Sequence, residues 1–147
     1  FSRTPKEIEG VKCYAGDQMS KFLKPIDVLI NLLPVTPQTE SILDKNLFER
    51  LSDGTYLINV ARGNHLVEDD LIEALDSGKL SGALLDVFRQ EPLPSEHPFW
   101  KHPKIKITPH VASVTSPESA LNLLQKNIAR LIKGEELLHD IDRSAGY

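Results

Sequence analysis

The chain is 147 residues long and 40% hydrophobic, with a formal net charge of −4. That length suits one domain with a real core, and the acidic balance argues against nucleic acid or an anionic membrane as a partner. No run is long and apolar enough to span a bilayer, and no signal-peptide pattern opens the sequence.

Val11 to Tyr14 is a short strand candidate, followed by a polar turn at Gly16 and Asp17. It contains the single cysteine, Cys13, which excludes an intrachain disulfide framework and fits a reducing cytoplasm. Cys13 is expected as a buried packing residue in preference to a reactive thiol. Asp27 to Leu32 is a continuous apolar run between Pro25 and Pro34; its length fits a strand, and its lack of alternation predicts burial on both faces. Leu43, Leu47 and Leu51 recur at helical spacing before a stop at Asp53-Gly54. Thr55 to Val60 reads as the next strand and ends at Ala61-Arg62-Gly63. Glu68 to Ser77 reads as a helix, with Glu68, Asp69 and Asp70 at its positive end and Gly78 as its stop.

Leu80 to Val87 returns as a strand around a tight Gly82-Ala83 pair, and Lys104 to Thr108 forms a last short one. Between them the proline-bearing stretch Glu91 to Pro103 is a long loop of the kind that carries function. The final helix is bounded by Ser116 as N-cap, Pro117 at the first turn and Gly134 at the C-terminus. Leu121, Leu124, Ile128, Leu131 and Ile132 form its apolar stripe. Strands alternating with helices predict an α/β fold, a Rossmann-type doubly wound parallel sheet.

Ligands of open α/β sheets gather beyond the carboxyl ends of the strands. Leu33-Pro34, Arg62-Gly63, Asp86 and His110 all fall at such ends. Each alone has an ordinary explanation: a surface charge for Arg62, a strand-end cap for Asp86, a structural histidine for His110. Their coincidence at one edge favours a site. His97, His102 and His110 lie in one region, but no Cys or tightly spaced carboxylate joins them into a zinc pattern, so no metal is expected. Ser113 and Ser116 lack the context of a nucleophile elbow.

Asn59-Val-Ala-Arg-Gly63, Ala83-Leu-Leu-Asp-Val-Phe88, Glu91-Pro92 and Thr108-Pro-His110, in that order, resemble the C-terminal signatures of the D-isomer-specific 2-hydroxyacid dehydrogenases. The resemblance runs over essentially the whole chain. Asn31-Leu-Leu-Pro34, Asp76-Ser-Gly-Lys79, Phe99-Trp100 and the ending Asp142-Arg143 with Gly146-Tyr147 look most like the glyoxylate/hydroxypyruvate reductase A branch. The resemblance implies an oxidoreductase that reduces a small 2-oxo acid with a nicotinamide cofactor, cytoplasmic and homodimeric. It assigns the catalytic roles to Arg62, Glu91 and His110. Arg62 suits a substrate carboxylate because its planar fork binds bidentately. Histidine titrates near neutrality and so suits a proton donor. A Glu91 carboxylate beside it favours the protonated ring, which the glutamine of related formate dehydrogenases would not do.

The same resemblance gives Asp86 the nicotinamide carboxamide. It places backbone groups of Leu33, Pro34, Val60 and Ala61 on the nicotinamide ribose side, with Thr39 and, more weakly, Ala112 and Ser113 beside them. Counting back along the fold puts Ser2, Arg3 and Thr4 where the adenosine ribose is read. No acid occurs before Glu7, and Arg3, with Lys6 near it, suits a 2′-phosphate. NADP(H) is therefore expected over NAD(H), against the alternative that Arg3 is a disordered terminal residue.

The family's Gly-x-Gly-x-x-Gly loop is absent, because Gly10, Gly16 and Gly54 are too scattered to supply it. The chain also opens on Phe1. The expectation is a domain truncated at its N-terminus, lacking the first strand and the Gly-rich loop. Residues 1–113 would be a partial dinucleotide-binding domain and 114–147 a helix and tail returning to a substrate lobe. Such a chain alone is expected to be inactive. The competing reading is a non-catalytic NAD(H)-binding protein on the same fold, like the C-terminal-binding corepressors, or an inactive fragment.

Overall fold

The computed structural model describes residues 1–113 and 116–141. The elements in chain order are α1 (Met19–Leu23), β1 (Val28–Asn31), α2 (Lys45–Glu49), β2 (Thr55–Asn59), α3 (Glu68–Asp76), β3 (Leu80–Leu85), β4 (Ile105–Ile107) and α4 (Pro117–Ile132). The four strands pair in the order β1-β2-β3-β4, and every pair is parallel. No described helix is long and apolar enough to cross a membrane.

The register defines two faces, because side chains alternate along each strand. Leu29, Leu57, Ala83 and Ile105 stand side by side on one of them. There they join Leu23, Leu47, Phe48, Leu71 and Leu75 in a single core, so α1, α2 and α3 all contribute to the same cluster. One step further along, Asn31, Asn59, Leu85 and Ile107 are the corresponding neighbours. The second face carries Val28 and Ile30 of β1, beside Tyr56 and Ile58 of β2.

That second face corrects one expectation. Asp27 to Leu32 is not buried on both sides: Val28 is 47% and Ile30 53% exposed, because no described element covers them. Val11 to Tyr14 is likewise not a strand. Isolated bridges join Ser2 to Ala15 and Ile8 to Val11, and Val11 is exposed. Cys13 in this segment is half-buried and lines an open groove, not the core. The helix expected around Leu43, Leu47 and Leu51 is reduced to one turn, capped by Asp44, whose side chain accepts from the Leu47 N–H at 2.8 Å.

The other elements fall within two residues of their expected limits. Helix α4 starts at Pro117 behind its Ser116 cap, and none of its residues is buried, so its apolar stripe lies open. The loop after β3 is strapped to α3, with His97 3.3 Å from Glu68 and His102 3.3 Å from Asp76. A turn at Pro98–Trp100 buries Phe99 in the core. The ending Asp142-Arg143 with Gly146-Tyr147, and the expected domain boundary beside residue 114, lie outside the described residues.

Candidate active site

Parallel strands end at one edge of the sheet, and the loops leaving β1 to β4 carry the expected residues to it. The shortest route from sequence to chemistry runs through Asp86, which follows β3 and is 1% exposed. Its Oδ1 accepts from the Thr108 hydroxyl and, at 2.9 Å, from the Val111 N–H; its Oδ2 accepts from the Ala112 N–H at 2.9 Å. Asp86 therefore caps the segment after β4 and fixes His110 within it. His110 itself takes a left-handed backbone, with φ of 55°. A carboxylate offers about four acceptor sites, and three internal donors fill most of those of Asp86.

The His110 ring meets Glu91 through Nδ1 and Oε2 at 2.8 Å, and the other Glu91 oxygen accepts the Phe88 N–H at 2.9 Å. The carboxylate is thus held at both oxygens, and the ring is turned so that Nε2 is its remaining polar atom. Arg62 lies one residue before a 3₁₀ turn at Gly63–His65, is exposed, and donates from Nη1 to the Ala61 carbonyl at 2.6 Å. Gly63 explains how this turn reaches the Glu91 loop: a Cβ there would stand 1.9 Å from the Phe88 carbonyl carbon. Only glycine lets the two backbones touch. Contacts therefore run from Gly63 through Phe88 and Glu91 to His110.

Two carboxyls in this cluster titrate below their ordinary range. Burial pushes Asp86 up, but hydrogen bonds from Thr108, Val111 and Ala112, with the nearby His110, outweigh it. The His110 hydrogen bond, then the Phe88 N–H, hold Glu91 down against a smaller effect of burial. A carboxyl depressed by folding adds stability that is complete above its unfolded pKa and lost as pH falls through its folded one. Melting curves taken downward from neutral pH should show Tm falling once the pH passes below about 4. Glu91→Gln should make that fall shallower; an unchanged slope in the variant overturns the assignment.

The remaining expected residues divide into two groups. Ser2 donates its N–H to the Tyr14 carbonyl at 3.0 Å and its hydroxyl to the Thr4 carbonyl at 2.8 Å. Arg3 lines an open groove with Lys6, Tyr14 and Gly16. In the second group, several polar atoms are occupied from within. The Leu33 N–H donates to Asn31 at 3.2 Å, and the Ala61 N–H to Asn59 at 3.3 Å. Pro34 has no N–H to offer, and its carbonyl accepts from the Thr39 hydroxyl at 2.6 Å and from His65 Nε2 at 3.2 Å. The Pro34 carbonyl is thus engaged within the loop by two donors. Thr39, whose hydroxyl also accepts from the Thr36 N–H at 2.8 Å, builds the loop. Ala112 spends its N–H on Asp86, and Val60 is half-buried between Asn59 and Ala61.

Sequence reading missed His65, the Thr108 hydroxyl and Arg89. Arg89 braces the 3₁₀ turn from below, donating to the carbonyls of Leu66 at 2.8 Å and Asn64 at 3.1 Å. One signal was present: Asn31 and Asn59 each close an apolar strand, and a buried amide demands partners.

The family model described as D-isomer specific 2-hydroxyacid dehydrogenase, NAD binding domain, matches residues 1–112. The chain belongs to this family. A family structure from Klebsiella pneumoniae 342 is 48% identical with a TM-score of 0.89, covering 97% of this chain and 46% of that one. A dehydrogenase from Xanthobacter autotrophicus Py2, in complex with NADPH and MES, is 40% identical with a TM-score of 0.95, covering 99% and 61%. The NADPH-dependent glyoxylate/hydroxypyruvate reductase of Sinorhizobium meliloti, in complex with NADP and sulfate, is 42% identical with a TM-score of 0.94, covering 99% and 48%. The chain thus spans about half the length of the dehydrogenases it matches. A histidine held by Glu91 and an aspartate held at three points stand at these strand ends, residue types that the nicotinamide half of a dinucleotide would meet. The sequence carries no Gly-x-Gly-x-x-Gly loop for the pyrophosphate.

Proposed function

We propose that this chain supplies the catalytic edge of an NADPH-dependent reductase of small 2-oxo acids, with glyoxylate or hydroxypyruvate as substrate. The observation that carries the reading is the 2.8 Å His110–Glu91 pair, whose carboxylate is fixed from behind by the Phe88 N–H. The reduced nicotinamide supplies the hydride when bound. Arg62 holds the substrate carboxylate and so orients the neighbouring carbonyl. Negative charge grows on the carbonyl oxygen during reduction, and His110 delivers a proton to it from Nε2. Glu91 keeps the ring oriented and stabilises its positive charge before transfer. Asp86 holds the His110 segment and takes one N–H of the carboxamide.

Residues 1–113 form the partial nucleotide-binding domain in this reading, and the exposed apolar stripe of α4 supports its assignment to a separate part that meets the substrate lobe. A homodimer in the cytoplasm belongs to the same proposal. NADPH as cofactor rests on Arg3 and on the NADPH and NADP complexes of the Xanthobacter and Sinorhizobium relatives.

The test is NADPH oxidation by the full-length polypeptide carrying this sequence, with glyoxylate and with hydroxypyruvate. Turnover with either acid is expected; cofactor binding without turnover would favour a non-catalytic binding protein. Arg3→Ala should lower kcat/KM for NADPH by about tenfold, the worth of one charge-assisted contact, and leave NADH unaffected. A wild-type enzyme that prefers NADH sinks the cofactor assignment.

A further inference from the structure

His65 is fully buried, with 0% exposure. Burying an imidazole costs free energy unless both ring nitrogens are paired, and here both are. Nδ1 lies 2.9 Å from Asn31 Nδ2, and Nε2 lies 3.2 Å from the Pro34 carbonyl.

The direction of each bond follows from the backbone. The Leu33 N–H can only donate, so the Asn31 atom it meets at 3.2 Å is the oxygen, Oδ1. Asn31 Nδ2 then donates both to Asn59 Oδ1 at 3.0 Å and to His65 Nδ1. Asn59 is fixed in the same way, its Oδ1 accepting the Ala61 N–H at 3.3 Å and its Nδ2 donating to the Arg62 carbonyl at 3.2 Å. With Nδ1 an acceptor, His65 carries its proton on Nε2 and gives it to Pro34. Every donor meets an acceptor. The network admits only the Nε2–H tautomer, since a proton on Nδ1 would face the amide hydrogens of Asn31.

This network joins the two loops that the proposed function uses most. One end holds residues 33–36, on the nicotinamide side. The other holds Ala61 and Arg62, the substrate anchor. His65 itself sits in the 3₁₀ turn that follows Arg62. The Pro34 carbonyl is turned inward by two donors, Thr39 and His65, so the outer surface of that loop is set by what lies beneath it.

We propose that His65 is a positioning residue that sets the nicotinamide-facing loop relative to the Arg62 anchor through the bond from Nε2 to the Pro34 carbonyl. This rests on the reductase reading of the site. Its chemistry separates two near-isosteric replacements. Asparagine can place an acceptor where Nδ1 stands but cannot reach Pro34. Glutamine can place a donor where Nε2 stands and loses the bond to Asn31.

The experiment uses the full-length polypeptide, with NADPH affinity by calorimetry, steady-state kinetics and melting temperature measured for wild type, His65→Asn and His65→Gln. Nitrogen-15 NMR of the wild-type ring reads the tautomer independently. The expected result is an Nε2–H ring and, in His65→Asn, an NADPH Kd and KM raised about tenfold, equivalent to about 1.4 kcal/mol. His65→Gln should recover most of that affinity even where its melting temperature is as low as that of the asparagine variant. Wild-type Kd in His65→Asn, equal Kd values in the two variants, or an Nδ1–H ring overturns the proposal. Failure of wild type to reduce any 2-oxo acid would count against the reductase reading alone, because affinity and tautomer still judge His65.

Discussion

Replacing His110 by glutamine in the full-length enzyme should lower kcat by about 10²–10⁴-fold, the range that a positioned general acid or base contributes. Glutamine places an amide where Nε2 stands, gives up the Nδ1 bond to Glu91 and has no proton to release near neutral pH. The effect should fall on kcat and kcat/KM alike, with KM for the 2-oxo acid little changed, because the lost interaction exists in the transition state and the proposed anchor of the acid is Arg62. The Asp86 carboxylate that holds the segment binds Thr108, Val111 and Ala112, and none of these bonds involves the His110 ring. Folding should therefore survive, which a melting curve checks. A variant with more than about a tenth of wild-type kcat removes His110 from the proton-transfer role.

The second large effect is expected at Gly63. A methyl group in Gly63→Ala would stand 1.9 Å from the Phe88 carbonyl carbon, 2.1 Å from its oxygen and 2.4 Å from the Arg89 nitrogen. All three are backbone atoms, so no side-chain rotation can make room. Overpacking in a core costs about 1–3 kcal/mol where neighbours can shift, and here the cost should reach the upper end or exceed it. For a chain of this size about 3 kcal/mol corresponds to a Tm lowered by roughly 6–12 °C. The segments pushed apart are the Arg62 turn and the Glu91 loop, so kcat/KM should fall along with stability. Thermal unfolding measured beside activity well below Tm separates the two losses. Wild-type Tm in Gly63→Ala would show that the two backbones do not meet there.

Most of the sheet was legible because apolar runs bounded by Pro, Gly or Asp leave few alternatives for segments such as Thr55 to Asn59. The pairing of Glu91 with His110 was legible for a different reason: both stand in short motifs whose order is distinctive. What remained hidden depends on three-dimensional neighbours. Val28 and Ile30 are as apolar as Leu29, so composition could not reveal that they face an uncovered side. Nothing local told that the Val11 to Tyr14 segment would find only isolated bridges. His65 is adjacent to Leu66 in an unremarkable stretch, and its partners Asn31 and Pro34 come from a different strand end. The inward turn of the Pro34 carbonyl is likewise a property of its partners, not of its own sequence.

The left-handed backbone of His110 has an evolutionary consequence. A non-glycine residue held there costs of order 1–3 kcal/mol, least for Asn and Asp, which enter this region more readily than other side chains. Glycine removes the cost altogether, and glycine has no proton to give. Under the proton-transfer role proposed for His110, selection for a sturdier fold and selection for turnover pull in opposite directions at this one position. A lineage relieved of that role should tolerate glycine there, exchanging chemistry for stability.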